Sequence, residues 1–144
     1  MQRAVMTKQN MEQCPVCFAG RLTRKAKRVS STYRGHTLTY LQSGEWCDHC
    51  GEGILIGADV LAVRARLEQW RDSVDRREAR ALAAIRRRLS LTQAEAAQLA
   101  GGGKNAFSRY ERGQANPVKA VSVLFKLLDR HPELLSEARE FSTP

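Results

Sequence analysis

The residues best placed to do chemistry are the four cysteines. They stand as Cys14-Pro15-Val16-Cys17 and Cys47-Asp48-His49-Cys50, two C-x₂-C pairs with 29 residues between them. Each pair makes a tight turn that aims two sulfurs at one point, and two such turns facing each other complete a tetrahedron. Gly20 and Gly51, just beyond the pairs, suit turns that free backbone amides toward the sulfurs. The pattern predicts one structural Zn²⁺ per chain held by Cys14, Cys17, Cys47 and Cys50. Two disulfides would also use an even count, but no secretion signal accompanies them and cytosolic thiols stay reduced. A redox C-x-x-C normally occurs once, beside a βαβ pattern that is absent here. Iron could occupy the same four sulfurs, and His49 lies close enough to compete as a ligand. Four protein ligands close the coordination shell, so the metal argues for folding and against catalysis. Four thiolates and one dication also take the formal charge of +9 to about +7.

Between the pairs, Thr32 to Leu41 is rich in β-branched and aromatic residues and reads as strand, with Arg34-Gly35 and Ser43-Gly44 as turns. Residues 14–57 therefore form a small antiparallel sheet of about 44 residues, too short to fold without its metal. The basic run Arg21, Arg24, Lys25, Lys27, Arg28 lies on its first strand and loop, as a partner surface or a solvated β-face. From Asp59, a reasonable N-cap, the apolar spacing turns helical through Val60, Leu61, Val63, Leu67, Trp70 and Val74. A second series, Ala79, Leu82, Ala83, Ile85 and Leu89, follows without Gly or Pro between them. The domain boundary is placed after residue 73, giving an extension over 1–13 expected to be flexible, a zinc module with its following helix over 14–73, and an all-α domain over 74–144. Nine arginines, from Arg64 to Arg88, mostly fall on solvent faces of this helical stretch, where some could meet phosphates but most simply solvate it.

The all-α part carries a second recognisable arrangement. Thr92 and Glu95 form a capping box that opens a helix, and Gly101-Gly102-Gly103 ends it. A short helix over Asn105–Arg112 follows, closed by Gly113. Two short helices around a glycine turn are the sequence form of a helix-turn-helix. Phe107 and Tyr110 anchor the second helix inward. Asn105 and Arg109, one turn apart, are the residue types suited to adenine and guanine edges. Thr92, Gln93, Lys104, Ser108 and Arg112 are placed to reach phosphates. The competing assignments are a plain N-cap for Asn105 and an ion pair with Glu111 or Glu95 for Arg109. Asn116-Pro117 suggests the cap and first residue of a further helix, whose apolar face is wider than one small core requires. That leaves core and dimer surface both open for Val118, Val121, Val123, Leu124, Phe125, Leu127 and Leu128. Glu133-Leu134-Leu135 begins the last helix after His131-Pro132.

The chain has 144 residues, 42% hydrophobic and 27% charged, with no apolar run near the ~18 residues of a membrane span. The N-terminal segment lacks an apolar h-region, so a cytoplasmic location without membrane contact is expected. Its 24 basic and 15 acidic side chains favour an anionic partner, usually nucleic acid. The basic excess sits in the first two thirds; residues 90–144 are nearly balanced, so a DNA reading there rests on placement. No nucleophile–base set is present, and an enzyme is not expected.

Leu91-Thr92-Gln93 together with Ser108-Arg109-Tyr110-Glu111-Arg112-Gly113 resembles the Xre/Cro type of helix-turn-helix. Joined to the paired cysteines, with Gly101 to Glu111 and His131-Pro132-Glu133-Leu134-Leu135, the chain from 14 to 140 resembles the MqsA (YgiT-type) antitoxin family. That resemblance implies an α+β protein, a zinc-pinned antiparallel β module followed by an all-α helix-turn-helix domain. It implies a homodimer through the C-terminal domain that binds palindromic double-stranded DNA in its own promoter, and a zinc domain that neutralises a ribonuclease toxin. Cys14, Cys17, Cys47 and Cys50 match the family's metal ligands, and Asn105 and Arg109 its base-reading pair. Residues 1–13 precede the family's usual start, and the stretch from Ser73 to Ala81 has no proline hinge. A zinc-containing Xre-type repressor without a toxin is the alternative.

Overall fold

The computed structural model describes residues 13–142. Residues 1–12 of the expected flexible extension lie outside the described residues, while Gln13 forms a β-bridge with Arg21. The chain divides into two compact units between Arg71 and Asp72. The order of elements is β1 (Leu22–Tyr33), β2 (His36–Cys47), β3 (Gly53–Ile54), α1 (Ala58–Arg88), α2 (Gln93–Leu99), α3 (Ala106–Glu111), α4 (Lys119–Arg130), a 3-10 turn (Pro132–Leu134) and α5 (Leu135–Phe141).

The first unit is built on the β1–β2 hairpin, antiparallel from Leu22↔Cys47 to Tyr33↔His36. Its two-residue turn is Arg34-Gly35, with φ of 50° and 81°. Positive φ at both positions is the type I′ geometry whose twist matches paired strands, which is why a glycine stands second. The other expected turn, Ser43-Gly44, is a correction: it lies inside β2. A Cβ on Gly44 would come within 2.8 Å of Leu55 Cδ2 and 3.1 Å of the Ile54 carbonyl oxygen. This glycine admits the chain that follows β3, and it makes no turn. Side-chain alternation places Val29, Ser31 and Tyr33 on the same face as Leu38 and Tyr40. Residues from the first half of α1 reach that face. Trp70 meets Tyr33 edge to face at 6.2 Å, Arg71 lies over Tyr33 and Arg66 over Tyr40. Asp59 lies in the first helical turn of α1, past the cap position expected for it. Its carboxylate is held by the Arg24 guanidinium of β1, including a 2.7 Å bond from Nη2 to Oδ1. Arg24 in turn holds the Asp59 carboxyl below the usual carboxylate range.

The second unit packs around Phe107 and Phe125, both fully buried with ring centroids 4.8 Å apart. Leu82, Ile85 and Leu89 from α1, Ala96, Ala97 and Leu99 from α2, and Val121 and Leu128 from α4 complete the core. Of the apolar positions along α4, Val123 and Leu127 stay 44% and 50% exposed. The α4 start is a further correction: Val118, with φ −62° and ψ 154°, is the cap, two residues beyond Asn116. Its carbonyl accepts from Val121 and Ser122 N–H, so the helical ladder begins after the proline. The helix ends repeat one device. Gly102 N–H donates to Ala97 and Gly101 N–H to Gln98, closing α2. Gln114 N–H to Arg109 and Gly113 N–H to Tyr110 close α3 in the same way.

One polar network ties three helices together at the edge of this core. Glu111, at the end of α3, is paired with the Arg86 guanidinium of α1, one bond being Nη2 to Oε2 at 3.1 Å. Gln93 Nε2 of α2 donates to the same Oε2 at 2.8 Å, and Arg86 Nη1 donates to the Leu91 carbonyl at 2.7 Å. The side chains are 13% and 8% exposed. Burial works to raise the Glu111 pKa, but the Arg86 and Gln93 hydrogen bonds win and hold it below the ordinary glutamate value. A depressed carboxyl contributes stability above its unfolded pKa, and that contribution is lost as pH falls through the folded value. Glu111→Gln is expected to cost about 1.5–3 kcal/mol near neutral pH. It should also flatten the loss of stability below about pH 4.5, read by urea denaturation followed on helical circular dichroism. An unchanged acid limb would contradict this role.

Candidate metal centre and helix-turn-helix

The first knuckle is closed by Cys14 N–H to Gly20 O at 2.9 Å and Phe18 N–H to Cys14 O at 2.9 Å. The second is closed by Cys47 N–H to Glu52 O at 2.8 Å. Two bonds lock the knuckles to each other, Asp48 N–H to Arg21 O at 3.1 Å and Arg21 N–H to Asp48 Oδ1 at 2.7 Å. The outcome is that the four Sγ atoms of Cys14, Cys17, Cys47 and Cys50 lie within 4.8 Å of one another. The Cys14–Cys50 and Cys17–Cys47 separations are both 3.7 Å. Zinc–sulfur bonds of about 2.3 Å set the edge of a regular tetrahedron near 3.8 Å, so the sulfur cage has the size of a ZnS₄ site. A disulfide requires about 2.05 Å; all four cysteines are free.

The amides around the cage support thiolates. Gly20 N–H points at Cys17 Sγ (3.4 Å), and the His49 and Cys50 amides point at Cys47 Sγ (3.3 and 3.4 Å). The Ala19 and Gly20 amides lower the Cys17 pKa to about 6. Against the lowering pull of the Glu52 amide, desolvation and the neighbouring sulfurs push Cys50 up to about 12. Four thiols crowded this closely need a cation before all can ionise. Gly20 is required sterically as well: a Cβ there would stand 2.3 Å from Cys47 Sγ. Gly51 takes φ of 77° at the second turn. His49 contributes its backbone amide and is exposed, outside the four-residue cluster. The donor set therefore fits a structural zinc site, with no position left for substrate.

In the second unit, the Thr92 hydroxyl accepts from Glu95 N–H at 3.1 Å, and Glu95 Oε2 accepts from Thr92 N–H at 2.7 Å, the reciprocal capping box. Asn105 occupies the position before α3, with no side-chain cap bond. Its exposed side chain is thus not used as the simple cap that the sequence also allowed. Arg109 is exposed one turn further on. The acids considered as its partners are engaged elsewhere: Glu111 by Arg86, and Glu95 by its cap and by Arg139 at 3.7 Å. Of the remaining positions, Lys104 and Arg112 are exposed, and Arg112 Nε donates to the Ser108 carbonyl at 3.1 Å. Ser108 is half-buried, and Gln93 has one amide hydrogen on Glu111. Sequence reasoning missed the Arg86–Glu111–Gln93 network. Its members are 25 and 18 residues apart, and no spacing rule links them.

Fold and site together define a two-module protein, a β module organised around a four-cysteine metal site and a helical domain carrying a helix-turn-helix. The family model described as the antitoxin component of bacterial toxin-antitoxin systems, MqsA, matches residues 11–139, and the chain belongs to that family. Antitoxin MqsA of Escherichia coli (strain K12) is 40% identical over 131 residues, covering 88% of this chain and 99% of the relative. A solved structure of the N-terminal domain of Escherichia coli MqsA is 32% identical. It covers 43% of this chain and 94% of that one, with a TM-score of 0.41.

The glycine beneath the sulfur cage gives a direct test of the centre. Gly20→Ala should weaken zinc binding at least about tenfold, the usual scale for disturbing the shell around a metal's ligands. Competition against a chromophoric chelator would measure it, and an unchanged zinc affinity would contradict the steric role.

Proposed function

We propose that this protein is the antitoxin of a type II toxin-antitoxin system. Its zinc-pinned β module masks a ribonuclease toxin, and its helix-turn-helix, paired as a homodimer, represses its own promoter. The observation that carries this reading is family membership running across both modules, residues 11–139. Zn²⁺ is the ion best suited to the centre, because the four thiolates stand at tetrahedral spacing. The protein acts by binding, since four protein ligands leave the metal closed to water and substrate.

On the DNA side, Asn105 and Arg109 are assigned to base edges in the major groove, Asn bidentate to adenine and Arg to guanine. Lys104, Ser108 and Arg112, with Thr92 and Gln93 at the start of α2, are assigned to phosphates of a palindromic operator. What supports the pair is its exposure and its freedom from capping and acidic partners among the described residues. The exposed Val123 and Leu127 of α4 are offered as part of the homodimer surface.

Arg109→Ala is expected to cost ~1–3 kcal/mol of operator binding and to relax choice at one base pair. Fluorescence titration against the promoter and its single-base variants checks this, and unchanged affinity and selectivity would remove the assignment. The toxin role is tested by co-expression with the neighbouring open reading frame and pull-down. A stable complex that rescues growth supports it. Promoter binding with no partner and no rescue would leave a zinc-containing Xre-type repressor.

A further inference from the structure

The nine arginines of α1 do not share one fate. Arg64 pairs with Glu68, Arg66 and Arg71 lie over Tyr40 and Tyr33, Arg86 holds Glu111, and Arg88 makes two bonds to Asp129. Arg77 is engaged too. This leaves Arg76, Arg80 and Arg87, all exposed and without a hydrogen-bond or ion-pair partner among the described residues. At 100° per residue these three fall within an arc of about 40°, one stripe on the face turned away from Leu82, Ile85 and Leu89. Of the acids near this stretch, Glu78 is taken by Lys126 and Asp129 by Arg88, Asp75 is engaged too, and Asp72, one helical turn before Arg76, forms no ion pair among the described residues.

The stripe also has a defined starting point. Arg87 stands close enough to Glu111 to help hold its carboxyl ionised. Glu111 accepts from Gln93, the first residue of α2. From there the file runs back along α1 through Arg80 to Arg76, about 16 Å at 1.5 Å per residue. Its two intervals, about 10 and 6 Å, are short enough for arginine side chains to reach separate phosphates of one strand.

We infer that Arg76, Arg80 and Arg87 form a phosphate-tracking stripe that extends the helix-turn-helix contact onto the DNA backbone flanking the bases it reads. This rests on the DNA-binding reading of the second unit and enlarges it. It assigns sequence-independent affinity to α1, while base choice stays with α3. It also accounts for a nearly charge-balanced helix-turn-helix segment, because the cations sit on the preceding helix.

Arginine-to-glutamine substitution preserves helix propensity, so R76Q/R80Q/R87Q should remain folded, checked by circular dichroism. Binding of the full chain to a labelled duplex from upstream of its own gene would be measured at several salt concentrations. Each lost phosphate contact lowers the slope of log K against log[salt] by about 0.9. The triple variant should therefore lose 2 to 3 from the wild-type slope while keeping its ranking of base-substituted duplexes. Arg88→Gln, whose guanidinium is tied to Asp129, should leave the slope unchanged. A triple variant with the wild-type slope would overturn the stripe and leave DNA binding standing. A folded wild type that binds no duplex would remove both.

Discussion

Everything in the first unit depends on four sulfurs meeting at one point. The unit has few large buried side chains, chiefly Tyr40 and Trp46, beside the buried Cys14 and Cys47. A core that small does not offset the ordering of some 44 residues. The hairpin register places Cys47 opposite Leu22, and the Arg21–Asp48 bonds bring the first knuckle onto the second. A metal bound at these sulfurs would convert a marginal hairpin into a fixed surface. The rest of the sheet, including the Arg24–Asp59 pair that anchors the start of α1, inherits its position from that centre.

The second unit is held by packing, and no metal-binding cluster lies among its described residues. Phe107 belongs both to the core and to α3: its ring packs on Phe125 while Asn105 and Arg109, before and on the same helix, are exposed. Glu111 then fixes the far end of α3 to α1 and α2 through a nearly buried ion pair. A six-residue helix has little stability of its own. Its geometry comes from being held at both ends, by an aromatic contact and by a polar one. Asn105 and Arg109 are consequently exposed yet carried on a constrained scaffold, as the proposed base contacts would require.

Much of this was legible in the sequence because the informative features are local. The C-x₂-C pairs, the Thr92–Glu95 capping box, the Arg34-Gly35 turn and the glycine-bounded short helix each rest on residues a few positions apart. Two of the failures came where a distant partner decided, and the third where one extended residue did. Asp59 has the type of a cap, but Arg24 takes its carboxylate inside the first turn. Ser43-Gly44 has turn composition, but Leu55 and Ile54 require a glycine in the middle of β2. Asn116-Pro117 has helix-start composition, but the extended Val118 delays the helix to Lys119. The arginines of α1 read mostly as solvating, with phosphate contact open for some, and their individual partners separate three from the rest.

Metal binding would organise one module, while hydrophobic packing organises the other. The most direct measurement is a titration of the zinc-loaded chain with a strong chelator, following far-UV circular dichroism and duplex binding together. The account predicts that the β contribution from residues 14–57 disappears with the zinc while the helical signal and base-selective DNA binding persist. Loss of the helical signal in step with zinc removal would contradict it, and would make the chain one cooperative unit governed by its metal.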